Sequence, residues 1–219
     1  MLKYKLIIAG FLIILVNSSL VLAQQSCEEK QYVIILSMDG FRWDYPEKAN
    51  TPNLNLIATN GVKAKAFIPS FPTKTFSNHY SMATGLYTEN HGIVLNKFFA
   101  NDLGKKYSIT SSESYTGEPI WATAEKQGVK SASYFWLGSE APIEKALPTY
   151  YLEYNEAIPF ENRADSVISW LLMPENERPH LIMWYIHEPD AMGNKYGPNS
   201  QELITTVEYI DQLVGNFYN

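Results

Sequence analysis

Two continuous apolar runs, residues 32–37 (YVIILS) and 181–186 (LIMWYI), most constrain how this chain can fold. Both runs are short and rich in β-branched and aromatic residues, and neither alternates polar with apolar positions as a half-exposed strand does. Such runs are typical of strands that are buried on both faces of a parallel sheet. Because parallel strands need crossover connections that are usually helical, we expect an α/β protein.

Helical patterns separate these runs along the chain. Pro52 suits the first turn of one helix, and Gly61 and Gly85 directly follow two predicted helix ends. Residues 96–117 and 188–198 are predicted to be loops. We predict helices over 51–59, 75–84, 118–126, 162–173 and 201–218, and further strands over 62–68 and 129–136. In a sheet of this kind, the chemistry is expected at the carboxyl ends of the strands.

The first 23 residues have the features of a secretory signal peptide. Lys3 and Lys5 provide a positive start, an apolar run follows over residues 6–16, and Val21-Leu22-Ala23 suits signal peptidase. The apolar run is too short to span a membrane. The alternative is an uncleaved N-terminal anchor. We therefore expect an exported protein, periplasmic or secreted, with no membrane span after cleavage.

Cleavage leaves a short tail over 24–30 and a single domain over 31–219, which is long enough for a core of its own. The mature chain keeps 15 basic and 23 acidic residues, so its net charge is −8. An acidic chain does not attract nucleic acid through its overall field, and phosphate binding would need a local positive charge such as a metal ion. Cys27 is the only cysteine, so it forms no internal disulfide. No feature of the sequence specifies an oligomeric state.

Three polar segments lie where a sheet of this type would place its chemistry. Asp39 and Gly40 directly follow the first strand, where a metal ligand would lie, although an Asp-Gly pair is also ordinary turn chemistry. Thr75 begins a predicted helix, where it is either an N-cap or a nucleophile activated by the positive helix end and a cation. Glu188-Pro189-Asp190 puts another carboxylate at the end of another apolar strand.

Together these segments form a pattern that resembles the nucleotide pyrophosphatase/phosphodiesterase family. Each block alone is unspecific, but jointly they follow the family's order and span nearly all of the mature chain. The matching blocks are residues 38–41 (MDGF), 71–80 (FPTKTFSNHY), 84–87 (TGLY), 89–93 (ENHGI) and 188–198 (EPDAMGNKYGP). The resemblance implies an alkaline-phosphatase-like fold, with a mainly parallel sheet flanked by helices, and a partial phosphodiesterase catalytic domain over residues 31–219.

The resemblance also implies a site with two divalent metal ions, expected to be zinc. Thr75 would attack phosphorus and form a phosphothreonine, Asp39 would bind the metal ion beside it, and Asp190 would bind the second ion. Asn96 would hydrogen-bond a non-bridging phosphoryl oxygen, although an asparagine that caps a loop is the plain alternative. The implied substrate is a small phosphate ester such as a nucleotide.

Three further residues complete the set of candidates. Lys74 and Phe76, on either side of the implied nucleophile, are expected to bind the substrate. His187 lies beside the Glu-Pro-Asp segment and is a weaker metal candidate, because a satisfied structural histidine is favoured at such a position.

Two departures from the family pattern weaken the implied metal sites. Asn194 stands four residues after Asp190, where the family has a zinc-binding histidine, and its amide nitrogen does not replace an imidazole. The family's later Asp-His-Gly motif and a still later histidine do not occur before Asn219. We therefore expect a C-terminally truncated member with impaired activity. The apolar face of the final helix, with no strand after it, fits either an incomplete domain or a small domain that ends on a helix.

Two other interpretations remain open. One is an inactive fragment or a pseudoenzyme that only binds ligands, which Asn194 and the missing ligands favour. The other is a phosphomonoesterase or a phospholipid diesterase of the same superfamily. A threonine nucleophile argues against typical alkaline phosphatases and sulfatases, but it does not separate nucleotide substrates from lysophospholipids or cholinephosphate esters.

Overall fold

A computed structural model describes residues 31–218 of the chain. The predicted signal peptide, the tail and Cys27 lie outside these residues. The helices are α1 Tyr45–Lys48, α2 Pro52–Asn60, α3 Thr75–Thr84, α4 Thr88–His91, α5 Ile120–Lys126, α6 Phe160–Leu171, α7 Asp190–Tyr196 and α8 Gln201–Tyr218. The strands are β1 Val33–Met38, β2 Phe99–Ala100, β3 Lys105–Lys106, β4 Ser131–Tyr134, β5 Tyr150–Leu152 and β6 Leu181–Ile186. No helix among the described residues is long and apolar enough to cross a membrane.

A four-stranded parallel sheet organises the fold, with the strand order β1-β6-β4-β5. β1 runs in register with β6, from the pair Val33–Leu181 to the pair Met38–Ile186. β2 and β3 form a separate antiparallel pair. The predicted α/β architecture, a mainly parallel sheet flanked by helices, is confirmed.

β6 divides the core into two layers because successive side chains of a strand point to opposite faces. Leu181 and Met183 pack with residues of α3 and α5 on one face of the sheet. Ile182 and Trp184 pack with residues of α6 and α8 on the other face. A central strand of this kind explains why residues 181–186 are apolar without interruption.

β1 differs from the prediction, because it forms an edge of the sheet. None of its six residues is buried, whereas five of the six residues of β6 are. The predicted strand over residues 62–68 is wrong, since this segment is irregular and Val62 is 99% exposed. A strand needs a neighbour for its backbone N–H and C=O groups, and the pairings within residues 31–218 do not include this segment.

Most predicted helices are confirmed, and those over 75–84 and 201–218 have the predicted ends. The prediction of a loop over residues 188–198 is wrong, because residues 190–196 are helical. Glu188 Oε2 accepts the backbone N–H of Met192 at 3.1 Å, and this bond satisfies a donor in the first turn of α7. The sequence patterns also do not indicate β5 or the β2–β3 pair, which are two or three residues long.

The apolar face of α8 is covered within the described residues. Leu213 packs in the core layer of Trp184, and the rings of Phe217 and Trp184 lie 5.2 Å apart. Leu203 and Val207 pack with Tyr45 of α1. The sheet and α1 therefore provide the cover that the helical pattern of residues 201–218 requires.

Replacing Asp211 with alanine should lower the free energy of unfolding by about 2–3 kcal/mol. This buried carboxylate of α8 accepts the backbone N–H groups of Asn53 and Leu54 and the side-chain amide of Asn53, at 2.7–3.2 Å. The substitution leaves these donors at the start of α2 without their acceptor. Urea denaturation measures the loss. Glu208→Ala is the control, because Glu208 accepts a single exposed N–H from Asn50; an equal loss in both variants would contradict the prediction.

Acid should weaken the fold through His91. The backbone N–H of Ile93 donates to His91 Nδ1 at 3.1 Å, so Nε2 carries the proton and donates to Ser81 Oγ at 2.9 Å. Burial lowers the pKa of His91 below its ordinary 6.5. Between these two pKa values the unfolded chain binds the proton and the folded chain does not, so the free energy of unfolding falls as the pH drops below 6.5.

The slope that His91 contributes is at most about 1.4 kcal/mol per pH unit. Urea denaturation at a neutral and a mildly acidic pH measures it. In His91→Gln the dependence should be shallower than in the wild type. An unchanged slope would show that other groups carry the acid sensitivity.

Candidate active site

A cavity of about 490 Å³ lies at the carboxyl ends of the parallel strands. Predicted site residues from four segments that are distant in sequence meet in it. Its predicted members are Asp39, Thr75, Phe76, Asn96, His187 and Asp190. Lys74 and Asn194 are the two predicted site residues that do not line the cavity. The strand ends therefore bring together most of the residues that the sequence singled out.

Asp39 and Asp190 come together because β1 and β6 are parallel neighbours. The backbone N–H of Asp39 donates to Ile186 O at 2.9 Å, and the N–H of Asp190 donates to Asp39 O at 3.0 Å. Gly40 between them has φ +66°, and a β-carbon there would lie 2.8 Å from Asp190 Cα. Only glycine allows both this backbone conformation and this approach.

The two carboxylates lie in unlike surroundings. Tyr185, at the end of β6, donates its hydroxyl to Asp39 Oδ2 at 2.9 Å. Burial and then the negative charge of Asp39 raise the pKa of Asp190, against the opposing effects of the Asn194 hydrogen bond and the Lys74 charge. A cation between the two carboxylates would relieve this repulsion.

Thr75 is the first residue of α3 rather than a cap of it. The preceding residue, Lys74, has an extended backbone and makes no side-chain cap hydrogen bond. Asn96 Oδ1 accepts the backbone N–H of Phe76 at 3.0 Å, so one donor of the first helical turn is held by a residue from another segment. The bond occupies the amide oxygen of Asn96, and the amide nitrogen of the same side chain is a donor.

The turn before Thr75 is shaped by Asn78. Its Oδ1 accepts the backbone N–H of Ser70 at 2.6 Å. Its Nδ2 donates to the carbonyl oxygens of Pro72 and Lys74 at 3.3 and 3.0 Å. The asparagine of the FPTKTFSN block therefore fixes the loop that leads into the helix, a role that the sequence pattern does not reveal.

The metal ligands available in the described residues do not complete a zinc site. Within residues 31–218 no three or more His, Cys, Asp or Glu side chains lie close enough together to hold a metal ion. Asp39 and Asp190 provide two carboxylates, whereas a zinc site has three or four protein ligands. Asn194 Nδ2 donates to Asp190 Oδ2 at 2.8 Å, so the residue at the family's histidine position occupies one oxygen of the carboxylate.

His187 lines the cavity but is engaged elsewhere. Its Nδ1 lies 3.4 Å from Arg163 Nη1, and burial together with the Arg163 charge lowers the pKa of His187. Because a guanidinium only donates, Nδ1 accepts and Nε2 of the neutral ring carries the proton. Neither nitrogen then offers a lone pair to a cation.

One wall of the cavity is aromatic. Phe76 from α3 and Tyr154 from the segment after β5 both line it, and Tyr154 N–H donates to Glu140 Oε1 at 2.9 Å. Further apolar side chains come from the segment that follows β4. They are Phe135, Trp136 and Leu137. A cavity lined by both carboxylates and aromatic rings suits a ligand that has both a charged and a flat apolar part.

Comparison with known proteins agrees with this arrangement. The family model of type I phosphodiesterases/nucleotide pyrophosphatases matches residues 33–219. Venom phosphodiesterase 2 of Crotalus adamanteus is 44% identical over 194 residues, which are 85% of this chain and 24% of the venom protein. Human ectonucleotide pyrophosphatase/phosphodiesterase family member 1 is 42% identical over 83% of this chain and 20% of its own length.

Solved structures show the same likeness. Murine ectonucleotide pyrophosphatase/phosphodiesterase 5 superposes with a TM-score of 0.81 at 38% identity, over 85% of this chain and 51% of the murine chain. An inactive threonine-to-alanine variant of that murine protein, in complex with AMP, matches at 37% identity with the same TM-score and coverage. The chain thus spans about a quarter of the curated relatives and about half of the solved structures. With its sheet, its cavity and these similarities in agreement, the chain belongs to the type I phosphodiesterase/nucleotide pyrophosphatase family.

Proposed function

We propose that this chain carries the nucleophile side of a site that hydrolyses phosphodiester or pyrophosphate bonds of nucleotide-type substrates. The observation that carries the proposal is the meeting of Asp39, Thr75, Asn96 and Asp190 in one cavity that also has aromatic walls. The inactive threonine-to-alanine variant of the murine relative, which holds AMP, supports both a threonine nucleophile and a nucleotide ligand.

Thr75 would act through covalent catalysis. Its Oγ1 would give up its proton to solvent and form a bond to phosphorus while the bond from phosphorus to the leaving oxygen breaks, and the leaving group departs. The intermediate is a phosphothreonine, which keeps the nucleoside as an ester when the substrate is a diester. Water then attacks phosphorus and releases both the product phosphate group and the threonine hydroxyl. The start of α3 places positive helix-dipole charge beside the phosphoryl group. Asn96 Nδ2 would donate to a non-bridging oxygen, since Asn96 Oδ1 is already occupied by Phe76 N–H.

Phe76 and Tyr154 would hold the flat part of the substrate. Both line the cavity with Thr75, and Phe76 directly follows the nucleophile in sequence. Lys74 does not line the cavity, so we propose a role for its charge near Asp190 rather than a direct contact with the substrate.

The cofactor implied by the family is a pair of divalent ions, which we propose to be zinc. When bound, such ions neutralise the phosphate charge and favour the ionised form of a hydroxyl. Asp39 and Asp190 are the two carboxylates of the cavity that would bind them. Because the described residues do not complete either site, we propose that the activity of this chain alone is impaired.

Trapping of the covalent intermediate tests the proposal. The mature chain is mixed with p-nitrophenyl thymidine monophosphate and zinc, quenched with acid and analysed by mass spectrometry. We expect a phosphorylated or nucleotidylated Thr75 and release of p-nitrophenol. Release of p-nitrophenol with the label on another residue would refute the assignment of the nucleophile.

Restoring the family's histidine should strengthen zinc binding. Asn194→His places an imidazole four residues after Asp190 on α7, and the zinc dissociation constant measured by calorimetry should fall about tenfold or more. Lys195→His is the control, because it adds a histidine to the neighbouring position of the same helix. An equal change in both variants, or none in Asn194→His, would speak against a second metal site at Asp190.

A pseudoenzyme is the second candidate. The observation that favours it is the hydrogen bond from Asn194 to Asp190, together with the lack of a three-ligand cluster among residues 31–218. Such a chain would bind AMP in calorimetry and would release no p-nitrophenol at any zinc concentration. An active enzyme would bind AMP and would also release p-nitrophenol when zinc is present.

We also propose export of the chain, to the periplasm or out of the cell. The support is the signal-peptide pattern of residues 1–23 and the named venom and ectoenzyme relatives. N-terminal sequencing of the exported product should begin at Gln24.

A further inference from the structure

His79 joins the strand that leads to Asp39 with the helix that begins at Thr75. His79 is 4% exposed, and its ring lies between β1 and the backbone of α3. Nε2 is 2.8 Å from Ser37 Oγ, and Nδ1 is 2.7 Å from the carbonyl oxygen of Thr75.

The hydrogen bonds define the tautomer of the ring. A carbonyl oxygen only accepts, so Nδ1 of His79 carries a proton and donates to Thr75 O. Burial lowers the pKa of His79, which favours the neutral ring. In the neutral ring Nε2 accepts, and the hydroxyl of Ser37 is its donor. The result is a directed chain from the Ser37 hydroxyl, through the imidazole, to the backbone of Thr75.

The hydrogen-bonded chain runs beside the site because of how Ser37 and His79 are spaced from the two site residues, Asp39 and Thr75. Ser37 lies in β1, and Asp39 directly follows β1 with its N–H still bonded to Ile186 O, so this two-residue spacing puts both side chains on the same side of the backbone. Thr75 and His79 are four residues apart on α3, so they lie on the same face of the helix. The link between Ser37 and His79 therefore ties the end of β1, which Asp39 follows, to the first turn of α3, which carries Thr75.

Two aromatic residues support the ring from other elements. Tyr185, whose hydroxyl donates to Asp39, meets the His79 ring edge-on with centroids 4.9 Å apart. Trp136 packs against the same ring at 5.2 Å and donates its Nε1–H to His79 O at 3.1 Å. His79 thus contacts residues from β1, β6 and the segment after β4, and its position is fixed from three sides.

We propose that His79 is a positioning residue that sets the separation of the Thr75 nucleophile from Asp39 through the Ser37 hydroxyl. The inference rests on the proposed function, since it assigns the purpose of the link to phosphoryl transfer. Loss of the link leaves the walls of the cavity in place but lets the start of α3 move relative to β1. Displacement of a nucleophile by about 1 Å is enough to lower the rate of a chemical step by about 100-fold.

A pair of serine substitutions gives a matched test. Ser37→Ala removes the hydroxyl that donates to His79, and Ser81→Ala removes the hydroxyl that accepts from His91 in a similar pair outside the cavity. We expect Ser37→Ala to lower the single-turnover rate of Thr75 phosphorylation about tenfold, with the KM unchanged within about twofold. Ser81→Ala should leave both values unchanged. Equal rates in the two variants would overturn the proposal.

Nuclear magnetic resonance provides a readout that does not depend on activity. Long-range ¹⁵N spectra of the imidazoles should show His79 with the proton on Nδ1, and the opposite tautomer would overturn the proposal. The methyl order parameter of Thr75 should fall in Ser37→Ala and in His79→Phe, but not in Ser81→Ala. An unchanged order parameter in Ser37→Ala would also overturn it.

The same measurements separate this inference from the proposed function. If Thr75 is never phosphorylated, the proposed function fails, while the tautomer and the Thr75 order parameters still decide whether His79 positions Thr75. If Thr75 is phosphorylated at equal rates in both serine variants, the proposed function stands and the role of His79 fails.

Discussion

Replacing Thr75 with alanine should reduce the release of p-nitrophenol from p-nitrophenyl thymidine monophosphate by about 10⁴-fold or more, to the background rate. The substitution removes the oxygen that would form the bond to phosphorus and leaves the cavity otherwise intact. AMP, which needs the walls of the cavity but no nucleophile, should bind with an unchanged dissociation constant within about twofold. Initial rates and calorimetric titrations measure the two effects.

Two neighbouring substitutions make this result specific. Thr73→Ala removes a hydroxyl from the exposed turn two residues before Thr75 and should leave the rate within about twofold. Thr75→Ser keeps an attacking oxygen and should retain measurable activity. A Thr75→Ala variant that hydrolyses the substrate at the wild-type rate would mean that another group attacks phosphorus.

Replacing Gly40 with alanine should damage the site and the fold together. The residue has φ +66°, and a β-carbon would lie 2.8 Å from both Cα and Cβ of Asp190. The left-handed conformation costs a non-glycine residue about 1–2 kcal/mol, and overpacking costs a further 1–3 kcal/mol. To relieve the overlap, Asp190 must move away from Asp39, so the hydrolysis rate should fall about 100-fold.

Gly104→Ala is the matched control for Gly40→Ala. Gly104 has φ +62° in the turn between β2 and β3, and a β-carbon there meets no atom within 4 Å. It therefore experiences the same backbone strain without the steric overlap. Urea denaturation should show a larger loss in Gly40→Ala, and only this variant should lose activity. Equal losses of stability in the two variants would show that the contact with Asp190 is not limiting.

Sequence patterns predict this fold well where a segment is both apolar and paired with its neighbours. β6, α3 and α8 have their predicted boundaries, because the continuous apolar run of β6, Gly85 after α3 and the helical periodicity of α8 agree with the packing in the structure. The segment 62–68 has a strand-like composition but lies outside the sheet pairings of the described residues, and composition does not supply a neighbour. The pattern of residues 32–37 likewise indicates a strand but not its place at the edge of the sheet.

The sequence predicted those residues of the site whose positions are determined by the ends of the parallel strands. Asp39 and Asp190 follow two apolar runs, and parallel pairing of these runs brings the two carboxylates to one edge. The sequence pattern did not predict contacts between side chains that come from different helices and strands. The bond from Tyr185 to Asp39 and the link from His79 to Ser37 depend on how helices and strands pack in three dimensions.

The edge position of β1 has a consequence for how copies of this chain meet in solution. Within residues 31–218, β1 pairs with a strand on one side only, and an open strand edge is a template for pairing with another chain. The irregular segment between α2 and α3 also exposes Phe67, Ile68 and Phe71 by 77–89%. An open strand edge together with exposed apolar side chains favours aggregation at high concentration. Lys63 and Lys65 lie just before these exposed apolar residues in the sequence. Their positive charges repel the same lysine residues of a second copy that approaches with the same segment.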